Sequence, residues 1–473
     1  MIVDFADDAH VKYPGQSLRI APSIATEHKF VHQPKVLNLI ADYERRLGFS
    51  RVGMTSWVGN SVTAYLTGKQ IDALRSDPQV KLVSDDWESS LSAYYSPGLA
   101  SDSTAGNEIT SWGRTLVNGK SKHPNINRKI YVIDSGVDYH NDLPNVIRTN
   151  VACGAAGGGC ENIISPALNA TQYPVIGCFG HATHVAGIIG AVSNGNGTVG
   201  AYAGATIVSL NITTGGGVGS FPFTTASPCT FGNPSPAGVG YALDYMYQQV
   251  LYSGQLAIAN ISINSAGLGV RSTSTPEPNW SKVKTVSTPA YRNDLGIYYP
   301  GVFVAQSAGN GARPLPGIGQ PDGPPSDACF WNGNGDPTGF KPLPWAPYAL
   351  DDDGIMVVGA INNAGRDVSG AEPFSPPSVG GVETPNPSNY GRCVDIWAPG
   401  DYIVSAWNSG AWGRAWLSGT SMAAPHVAAA AAYFADYEGL STPGAIELRI
   451  RSASPPSVDG DVSGQPVKVV RMP

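Results

Sequence analysis

The stretch from Leu417 to Ala435, LSGTSMAAPHVAAAAAYFA, most strongly restricts what this chain can fold into. A Gly-Thr-Ser turn leads directly into an alanine-rich segment that is apolar on every side, and alanine is the strongest helix former. A helix that is apolar all round is expected to be buried. Pro425 is expected near the helix start, where its missing N–H costs little. The chain must therefore enclose this helix in a large core.

Ser421 lies at the junction of this turn and the predicted helix. The first N–H groups of a helix have no partner within it, and the positive end of the helix dipole lies beside them. This position favours a nucleophile whose reaction develops negative charge. A serine in an isolated Gly-Thr-Ser turn more often only caps a core helix, so the turn by itself leaves both roles open.

The composition allows a large core and argues against several kinds of partner. A chain of 473 residues suggests two or more units. Hydrophobic residues make up 42% of the chain and charged residues 14%. A net charge of −7 without a long basic run argues against nucleic acid as a main partner. No window reaches about 18 consecutive apolar residues, so we expect no membrane span.

The cysteines and the N-terminus bear on the compartment. Six cysteines, an even count, favour disulfides and an oxidising compartment, although the count leaves their pairing open. The N-terminal residues MIVDFADDAH lack the charged-then-apolar layout of a signal peptide. We therefore expect a secreted protein whose signal peptide is not part of this sequence.

Residues from about 17 to 86 predict a small α/β unit. SLRIAPS is typical of a strand and PKVLNLIADYERRLGF of a helix. Two strands, SRVGMTSWV and NSVTAYLT, then a short helix, KQIDALRSD, and a last strand, QVKLVSDD, complete the order βαββαβ. That order suits a split-βαβ sandwich. The polar stretch from residue 87 to 122 is read as a linker to the next unit.

From Lys129 onward hydrophobic strands alternate with helices, which predicts a parallel sheet covered on both faces. The predicted strands are KIYVIDSGVD, ATIVSLNIT, LAIANISIN, GVFVAQSAGN, IMVVGAI, CVDIWAP and YIVSAW. The predicted helices are HATHVAGIIGAVS, AGVGYALDYMYQQVLYSG, the segment after Ser421, and GAIELRIRSAS.

Three further polar residues stand where such a sheet places its site. Asp134 ends the strand KIYVID at the carboxyl edge, His181 opens a helix, and Asn310 ends the strand GVFVAQSAGN. Each alone has an ordinary structural role, as a turn former or helix cap. His181 and His184 form an HxxH pair that could suggest metal, but the glutamate of a zinc-protease helix is missing.

Together the strings YVIDSGVD, GHATHVAG, SAGN and GTSMAAPH resemble, in this order, the four active-site motifs of subtilisin-like serine proteases. The order Asp134, His181, Ser421 differs from the orders in chymotrypsin and the α/β-hydrolases. The resemblance implies an α/β fold, with a three-layer, parallel-sheet, subtilisin-like catalytic domain over residues 123–473. It also implies a secreted serine endopeptidase that cuts peptide bonds through an acyl-enzyme on Ser421.

The resemblance assigns a role to each residue. His181 is the general base and then acid, and Asp134 orients its imidazole. The Asn310 side chain and the backbone N–H of Ser421 form the oxyanion hole. Catalysis then needs no cofactor. Ala182 stands where the family motif GHGTHVAG has glycine, and its methyl group is expected to narrow the site or shift His181.

The N-terminal unit resembles the inhibitory prodomain that precedes many enzymes of this family. Residues 1–90 would be a small α+β, ferredoxin-like prodomain that acts as intramolecular inhibitor and folding aid. Residues 91–122 would hold the processing region and the start of the mature enzyme, SWGRTLVNG. Self-cleavage of this zymogen is expected between Asp85 and Ala105. A permanent domain from Met1 to Asp86, or an unrelated small domain, is the alternative.

By the same resemblance, two strands wall the substrate cleft. The family usually shows SLGG at the second wall, where this chain has SINS, so side chains replace glycines and the P1 pocket is expected to be narrower. The wall residues are Ser209, Leu210, Gly215, Gly216, Ser262, Ile263, Asn264 and Ser265.

The cysteine placements resemble the proteinase K and aqualysin branch of the family. That resemblance implies the pairs Cys178–Cys229 and Cys329–Cys393, with Cys153 and Cys160 closing a small surface loop. Disulfides closing loops of this kind stabilise by roughly 4 kcal/mol in the chain-entropy model. Free buried thiols are the alternative.

Two other patterns in the sequence are weaker evidence for a binding site. Residues 195–200, GNGTVG, match a dinucleotide motif but follow a helix instead of a strand, so that interpretation fails. Asp351-Asp352-Asp353 could bind calcium, but three consecutive acids are typical of a solvated loop. Family members often bind structural calcium, so an ion elsewhere in the domain stays open.

The expected partners follow from these assignments. They are a protein or peptide substrate and the chain's own prodomain, with no nucleic acid and no membrane, and we expect a monomer. The alternative function is a catalytically silent peptide-binding protein on the same scaffold. Ala182, the altered wall at Asn264 and Ser265 and the retained N-terminal unit support that alternative, and the complete triad with Asn310 argues against it.

Overall fold

The structure is a computed structural model of the whole chain, and two structured units and a short junction are described from it. The described residues are 1–6, 9, 32–84, 90–91, 94–95, 107–150, 180–212, 236–264, 280–309, 352–362, 388, 394–460 and 466–473. No helix within these ranges combines the length and the apolar character needed to cross a membrane.

The N-terminal unit is an antiparallel sheet with two helices, and it has the predicted βαββαβ order. Its sheet order is β2-β3-β1-β4, that of a split-βαβ sandwich. The elements are β1 Ile2–Phe5, α1 Pro34–Leu47, β2 Arg51–Thr55, β3 Ser61–Ala64, α2 Gly68–Arg75 and β4 Val80–Ser84.

The first strand of this unit differs from the prediction. It begins at Ile2, whereas SLRIAPS, predicted as the first strand, lies outside the described residues. Val3 and Phe5 are buried in the core of the unit, and Asp4 between them forms an ion pair with Lys282 of the second unit at 3.0 Å. Alternate residues of a strand face opposite sides, so one four-residue strand serves both a core and an interface.

Two very short strands follow in the junction between the units, β5 Ser90–Leu91 and β6 Tyr94–Tyr95. Both pair with strands of the second unit and not with the N-terminal sheet. The second unit already begins within the stretch predicted as linker, because Ile109–Thr110 pairs with Thr198–Val199 and Lys120–Ser121 pairs with Tyr202–Ala203. The strands of this unit are β7 Ile109–Thr110, β8 Lys120–Ser121, β9 Lys129–Asp134, β10 Val146–Asn150, β11 Thr198–Val199, β12 Tyr202–Ala203, β13 Thr206–Asn211, β14 Ala257–Ile261, β15 Ile263–Asn264, β16 Ala290–Arg292, β17 Ile297–Tyr299, β18 Val302–Ser307, β19 Ile355–Ile361, β20 Ile396–Pro399, β21 Ile403–Ala406, β22 Arg414–Ser418, β23 Pro456–Gly460 and β24 Pro466–Lys468.

The helices of the second unit lie between these strands and after them. They are α3 Trp112–Leu116, α4 His181–Gly190, α5 Pro236–Ser253, α6 Trp280–Ser287, α7 Thr420–Tyr437 and α8 Pro443–Ala453.

The centre of the second unit is a parallel sheet of seven strands, in the order β10-β13-β9-β14-β18-β19-β20. Residues of β9 alternate between its two faces. Ile130 and Val132 pack with α4 and α7, whereas Tyr131 and Ile133 pack with α5 on the other face. This arrangement confirms the predicted α/β fold with three layers, and the near-continuous hydrophobic strands are those of a sheet buried on both faces.

The alanine-rich helix is α7, and the prediction that it is buried is confirmed. Every residue from Thr420 to Ala432 is buried, and the helix packs against the central sheet and α4. Small side chains let a helix approach a sheet closely, so the run of alanines fits this position. The N-terminus of α7 thereby comes to the carboxyl edge of the sheet.

Candidate active site

Three neighbouring strands of the central sheet bring the polar residues of the site to one edge. β9 ends at Asp134, Ser262 directly follows β14, and Gly309 follows β18. The carboxyl ends of parallel strands share one edge, and open α/β sheets bind ligands there. Gly309 donates its backbone N–H to Thr420 Oγ1 at 3.1 Å, which ties this edge to the first turn of α7.

His181 and Asp134, which the sequence predicts to act together, lie within hydrogen-bond distance of each other. His181 Nδ1 lies 2.9 Å from Oδ1 and 3.0 Å from Oδ2 of Asp134, and both side chains are buried. A carboxylate only accepts hydrogen bonds, so Nδ1 carries the hydrogen and Nε2 keeps a free lone pair. The backbone N–H of Ser135 donates to Asp134 Oδ1 at 2.6 Å and holds the carboxylate in place.

Gly180 sets the start of the helix that carries His181. Its φ of 61° is left-handed, and an added Cβ would meet Asn408 Oδ1 and the Trp407 ring at 2.8 Å. Both the conformation and the space therefore require glycine. Ala182 is buried in the main core beside it. With this alanine present, His181 Nδ1 lies within hydrogen-bond distance of Asp134, and the narrowing or slight shift expected from the methyl group stays a prediction.

Ser421 is the second residue of α7 and is fully buried. Its Oγ donates a hydrogen bond to the backbone carbonyl of Ser262 at 3.0 Å. His181 Nε2 is buried and has no hydrogen-bond partner among the described residues. The Ser421 hydroxyl is therefore bonded to Ser262 and not to His181 Nε2 in this structure. Catalytic hydrogen bonds are often completed only when substrate binds.

Pro425 is the sixth residue of α7, so the expectation that it lies among the first free N–H groups is wrong. In an α-helix the N–H of residue 425 would bond to the carbonyl of Ser421, and proline has no N–H. Ser262 Oγ instead donates to that carbonyl at 3.1 Å, and Asn260 Nδ2 donates to Ser262 Oγ at 2.9 Å. Ser262 and Ser421 thus bond each other in both directions.

Replacing Ser262 by alanine is expected to lower the free energy of unfolding by about 1–3 kcal/mol. The substitution leaves the Ser421 carbonyl buried without a donor, and an unsatisfied buried group costs about that much. Adding Pro425→Ala should recover part of the loss, because the alanine N–H reaches the same carbonyl. Urea denaturation of the four combinations, in a Ser421→Ala background to prevent self-digestion, measures this coupling. If Pro425→Ala changes the free energy of unfolding by the same amount in the presence of Ser262 as in the Ser262→Ala variant, the proposed coupling between the two positions is contradicted.

His184, the second histidine of the HxxH pair, has a structural role. Its Nε2–H donates to the carbonyls of Ile403 and Ala415, at 3.0 and 3.1 Å. Burial lowers its pKa to about 3, so it is neutral at ordinary pH. It joins α4 to the β21–β22 hairpin and thereby supports the helix that carries His181. Within the described part of the chain, no group of three or more His, Cys, Asp or Glu residues could hold a metal.

The predicted substrate walls are only partly described. Ser209 and Leu210 are buried inside β13, where Ser209 Oγ accepts the backbone N–H of Val137 and Leu210 belongs to the core. Both side chains are thus buried, and the role of this strand as a substrate wall stays a prediction. In the second wall, the backbone of Ile263 and Asn264 forms β15, which pairs with β5 of the junction.

Several predicted residues lie outside the described residues and stay predictions. The oxyanion role of the Asn310 side chain, both disulfide pairs and the small cysteine loop belong to this group. Its members are Gly215, Gly216, Ser265, Asn310, Asp351, Cys153, Cys160, Cys178, Cys229, Cys329 and Cys393.

The other two residues of the triplet Asp351-Asp352-Asp353 lie within the described part of the chain. Asp353 Oδ1 accepts the backbone N–H of Ile355 at 2.9 Å. The half-exposed Asp352 lies 3.8 Å from Arg451. Both carboxylates thus have partners within the protein. A structural calcium ion stays a prediction.

Comparisons with known proteins agree with this geometry. The family model described as "Subtilase family" matches residues 126–460, well over half of the chain. Subtilisin-like protease 2 of Arthroderma otae is 40% identical over 124 residues, which are 25% of this chain and 29% of that protein. Alkaline protease 1 of Aspergillus clavatus is 40% identical over 125 residues, 25% of this chain and 31% of that protein. The chain thus spans about a third of the length of these curated relatives.

Similar solved structures cover more of the chain at lower identity. A cold-adapted subtilisin-like serine proteinase is 22% identical, with a TM-score of 0.44, and covers 77% of this chain and 98% of its own. A structure titled S41 psychrophilic protease is 19% identical, with a TM-score of 0.45, and covers 77% of this chain and 99% of its own.

Proposed function

The chain belongs to the subtilase family, and from that membership we propose that it is a serine endopeptidase acting through Ser421, His181 and Asp134. The observation that supports this best is the buried His181–Asp134 pair, whose Nε2 has no hydrogen-bond partner among the described residues. The helix that His181 opens packs against α7, which carries the buried Ser421 in its first turn. A serine hydroxyl is a weak nucleophile and requires such a base.

The mechanism follows from what each group can do. His181 Nε2 takes the Ser421 proton as Oγ attacks the carbonyl carbon of the scissile peptide bond. The resulting imidazolium is stabilised by Asp134, which cannot donate and keeps the proton on Nδ1. His181 then protonates the leaving amine. Water next attacks the acyl-enzyme while His181 accepts its proton, and the proton returns to Ser421 Oγ as the acid product leaves. The backbone N–H of Ser421 and the Asn310 side chain are the proposed donors to the oxyanion.

Labelling with a fluorophosphonate probe tests the activated serine. The probe reacts covalently with a serine hydroxyl that a neighbouring base deprotonates, so we expect one labelled site, at Ser421, in the chain freed of its N-terminal unit. His181→Ala should abolish labelling, whereas His184→Gln, at the structural histidine, should retain it if folded. Peptide mapping by mass spectrometry locates the label. Labelling that persists in folded His181→Ala would contradict the proposed base.

We also propose that the chain is a zymogen whose N-terminal unit inhibits the second unit. The contacts that support this lie on α5 and α6, away from the triad. Asp244, which is 1% exposed, accepts the backbone N–H groups of Ser56 at 2.9 Å, Trp57 at 2.6 Å and Val58 at 2.9 Å. One carboxylate of the second unit thus binds three successive N–H groups of the first.

Asp244→Ala is expected to release the N-terminal unit after self-cleavage. Three N–H groups would lose their acceptor, and one such buried group already costs about 1–3 kcal/mol. Because about 1.4 kcal/mol corresponds to a tenfold change in an equilibrium constant, the dissociation constant of the cleaved N-terminal unit should rise by at least roughly tenfold. Gel filtration of self-cleaved protein measures whether the fragment co-elutes. Glu438→Ala, which removes an acid bonded to Arg449 within the second unit, is the control. Equal retention in both variants would contradict the proposed docking role.

Secretion, disulfide formation and a monomeric state complete the proposal. The even cysteine count supports an oxidising compartment. The substrate class is extended protein or peptide chain, because the backbone of β15 forms antiparallel hydrogen bonds with a neighbouring segment. No cofactor is part of the proposed mechanism.

A further inference from the structure

Strands β14 and β18 separate at the carboxyl edge of the central sheet. Their parallel pairing ends with Ile261 opposite Gln306. Beyond that point β15 continues the line of β14, while the chain after β18 gives its backbone N–H groups to other elements. Ala308 donates to β19 at 3.0 Å, and Gly309 donates to α7 at 3.1 Å. These two N–H groups are therefore not offered to β15.

The side chain of Gln306 bridges the opening between the two strands. Its Nε2 donates to the backbone carbonyl of Ile263 at 3.0 Å and to that of Ser307 at 3.3 Å. Both acceptors are carbonyl oxygens, so the NH2 end of the amide faces them and both of its hydrogens are used. Gln306 is 8% exposed and Ile263 is 5% exposed, and a buried carbonyl needs a donor. The Gln306 amide thus supplies to β15 the hydrogen bond that a neighbouring strand would otherwise supply.

The direction of the Ile263 carbonyl determines how β15 presents its other edge. Successive carbonyls of a strand point to opposite edges. Because the Ile263 carbonyl points to Gln306, the carbonyls of Ser262 and Asn264 point away from it. Two contacts agree with this direction: Ser421 Oγ donates to the Ser262 carbonyl at 3.0 Å, and β5 pairs with β15. Gln306 therefore holds β15 on the edge opposite to the one that accepts an added strand.

These contacts give Gln306 a role that rests on the proposed endopeptidase activity. We propose that Gln306 is a positioning residue for extended substrates, which acts by fixing β15 through the Ile263 carbonyl. A substrate with several residues before the scissile bond pairs along β15 and gains from a fixed strand. A substrate with one residue before that bond reaches Ser421 without such pairing. The contribution of Gln306 should therefore increase with the length of the substrate.

A series of peptide thioesters that differ only in length tests this role. All carry the same residue before the scissile bond, and they contain one to four residues on that side. Each variant is folded as the full chain, and its N-terminal unit is removed before the assay. Gln306→Leu removes the donor and keeps a side chain of similar size. We expect kcat/KM for the four-residue thioester to fall about tenfold, the effect of one buried hydrogen bond, and that for the one-residue thioester to stay within about twofold.

The control for this variant is Gln248→Leu, the same change at a buried glutamine of α5. It should keep the parent's ratio of kcat/KM between the four-residue and the one-residue thioester. This length ratio is the quantity compared in all variants, because general damage to the enzyme affects both substrates and leaves the ratio unchanged.

Gln306→Glu provides a reversible form of the same test. A protonated carboxyl group can donate to the Ile263 carbonyl, whereas an ionised one only accepts. Burial raises the pKa of the introduced carboxyl above its usual value of about 4.3. The length ratio should therefore match that of the parent below this pKa and fall about tenfold as the pH rises through it. Protonation of His181 affects both substrates equally and cancels in the ratio.

Fluorophosphonate labelling of Ser421 separates the possible outcomes. If Ser421 is labelled and the length ratio is unchanged in Gln306→Leu and at every pH in Gln306→Glu, the positioning role is overturned and the activity stands. An equal loss for long and short thioesters also overturns it, since that result indicates a contact that serves only the fold. If the parent is neither labelled nor able to hydrolyse any thioester, the proposed activity fails and the role of Gln306 fails with it.

Discussion

Replacing Ser421 with alanine is expected to leave the chain uncut and unable to hydrolyse casein. The alanine removes the attacking oxygen, while the buried site around it is otherwise unchanged in size. The expected loss in kcat is about 10⁶-fold, a magnitude carried over from the nucleophile of subtilisin. A gel that follows the junction and a casein assay measure both effects on the same preparation.

The control for this variant is Ser441→Ala, at an exposed serine beyond α7. It should be cut and should hydrolyse casein like the parent. If parent and Ser421→Ala are equally inactive, even after the N-terminal unit has been removed, the silent peptide-binding alternative is favoured. If Ser421→Ala is cut at the normal rate in dilute solution, another nucleophile or a contaminating protease is responsible.

Asp134→Asn is expected to slow self-cleavage by about 10⁴-fold while leaving the fold intact. An asparagine amide can donate to Nδ1 of His181, and that hydrogen bond stabilises the tautomer that carries its hydrogen on Nε2. The histidine then cannot accept the Ser421 proton. The carboxylate is buried and bonds both Nδ1 of His181 and the N–H of Ser135. A water molecule therefore cannot readily replace it as the acceptor for Nδ1–H.

The measurement is the fraction of chain cut at the junction over hours to days, with near-ultraviolet circular dichroism as the check on folding. Asp138→Asn is the matched control, since this aspartate follows on the same segment and its Oδ2 accepts a hydrogen bond from Thr183 Oγ1. We expect nearly normal cutting in the control. A folded Asp134→Asn chain that is cut within tenfold of the parent rate would exclude the proposed orienting role.

The proposed catalytic side chains could be selected in advance because the short strings that contain them resemble the motifs of the family. Asp134 ends a hydrophobic strand, and His181 and Ser421 open helices whose apolar content marks them as buried. The central sheet was predictable from a local pattern, since strands buried on both faces are recognisable as short hydrophobic runs. Strand β1 was missed because it has only four residues and contains Asp4, so little distinguishes it from a loop.

Other parts of the site depend on residues far apart in the chain. Ser262 and Ser421 are separated by 159 positions, yet each hydroxyl bonds the other's carbonyl. A proline inside an apolar helix was the one available signal, since it leaves a carbonyl in need of a donor. Nothing near Asp244 indicated that it would bind the backbone of residues 56–58, because the pairing arises where two units meet.

The sequence by itself, through its resemblance to the subtilisin-like motifs, predicted the proposed chemistry of this protein: which side chain attacks, which accepts the proton, and in what order they occur along the chain. Those properties depend on residue type and on hydrophobic spacing over a few turns or strands. Only the tertiary structure decided which carbonyl receives the Ser262 hydroxyl and where the N-terminal unit docks. These depend on the register of strands that pair across long chain separations, and register is set by packing of the whole sheet.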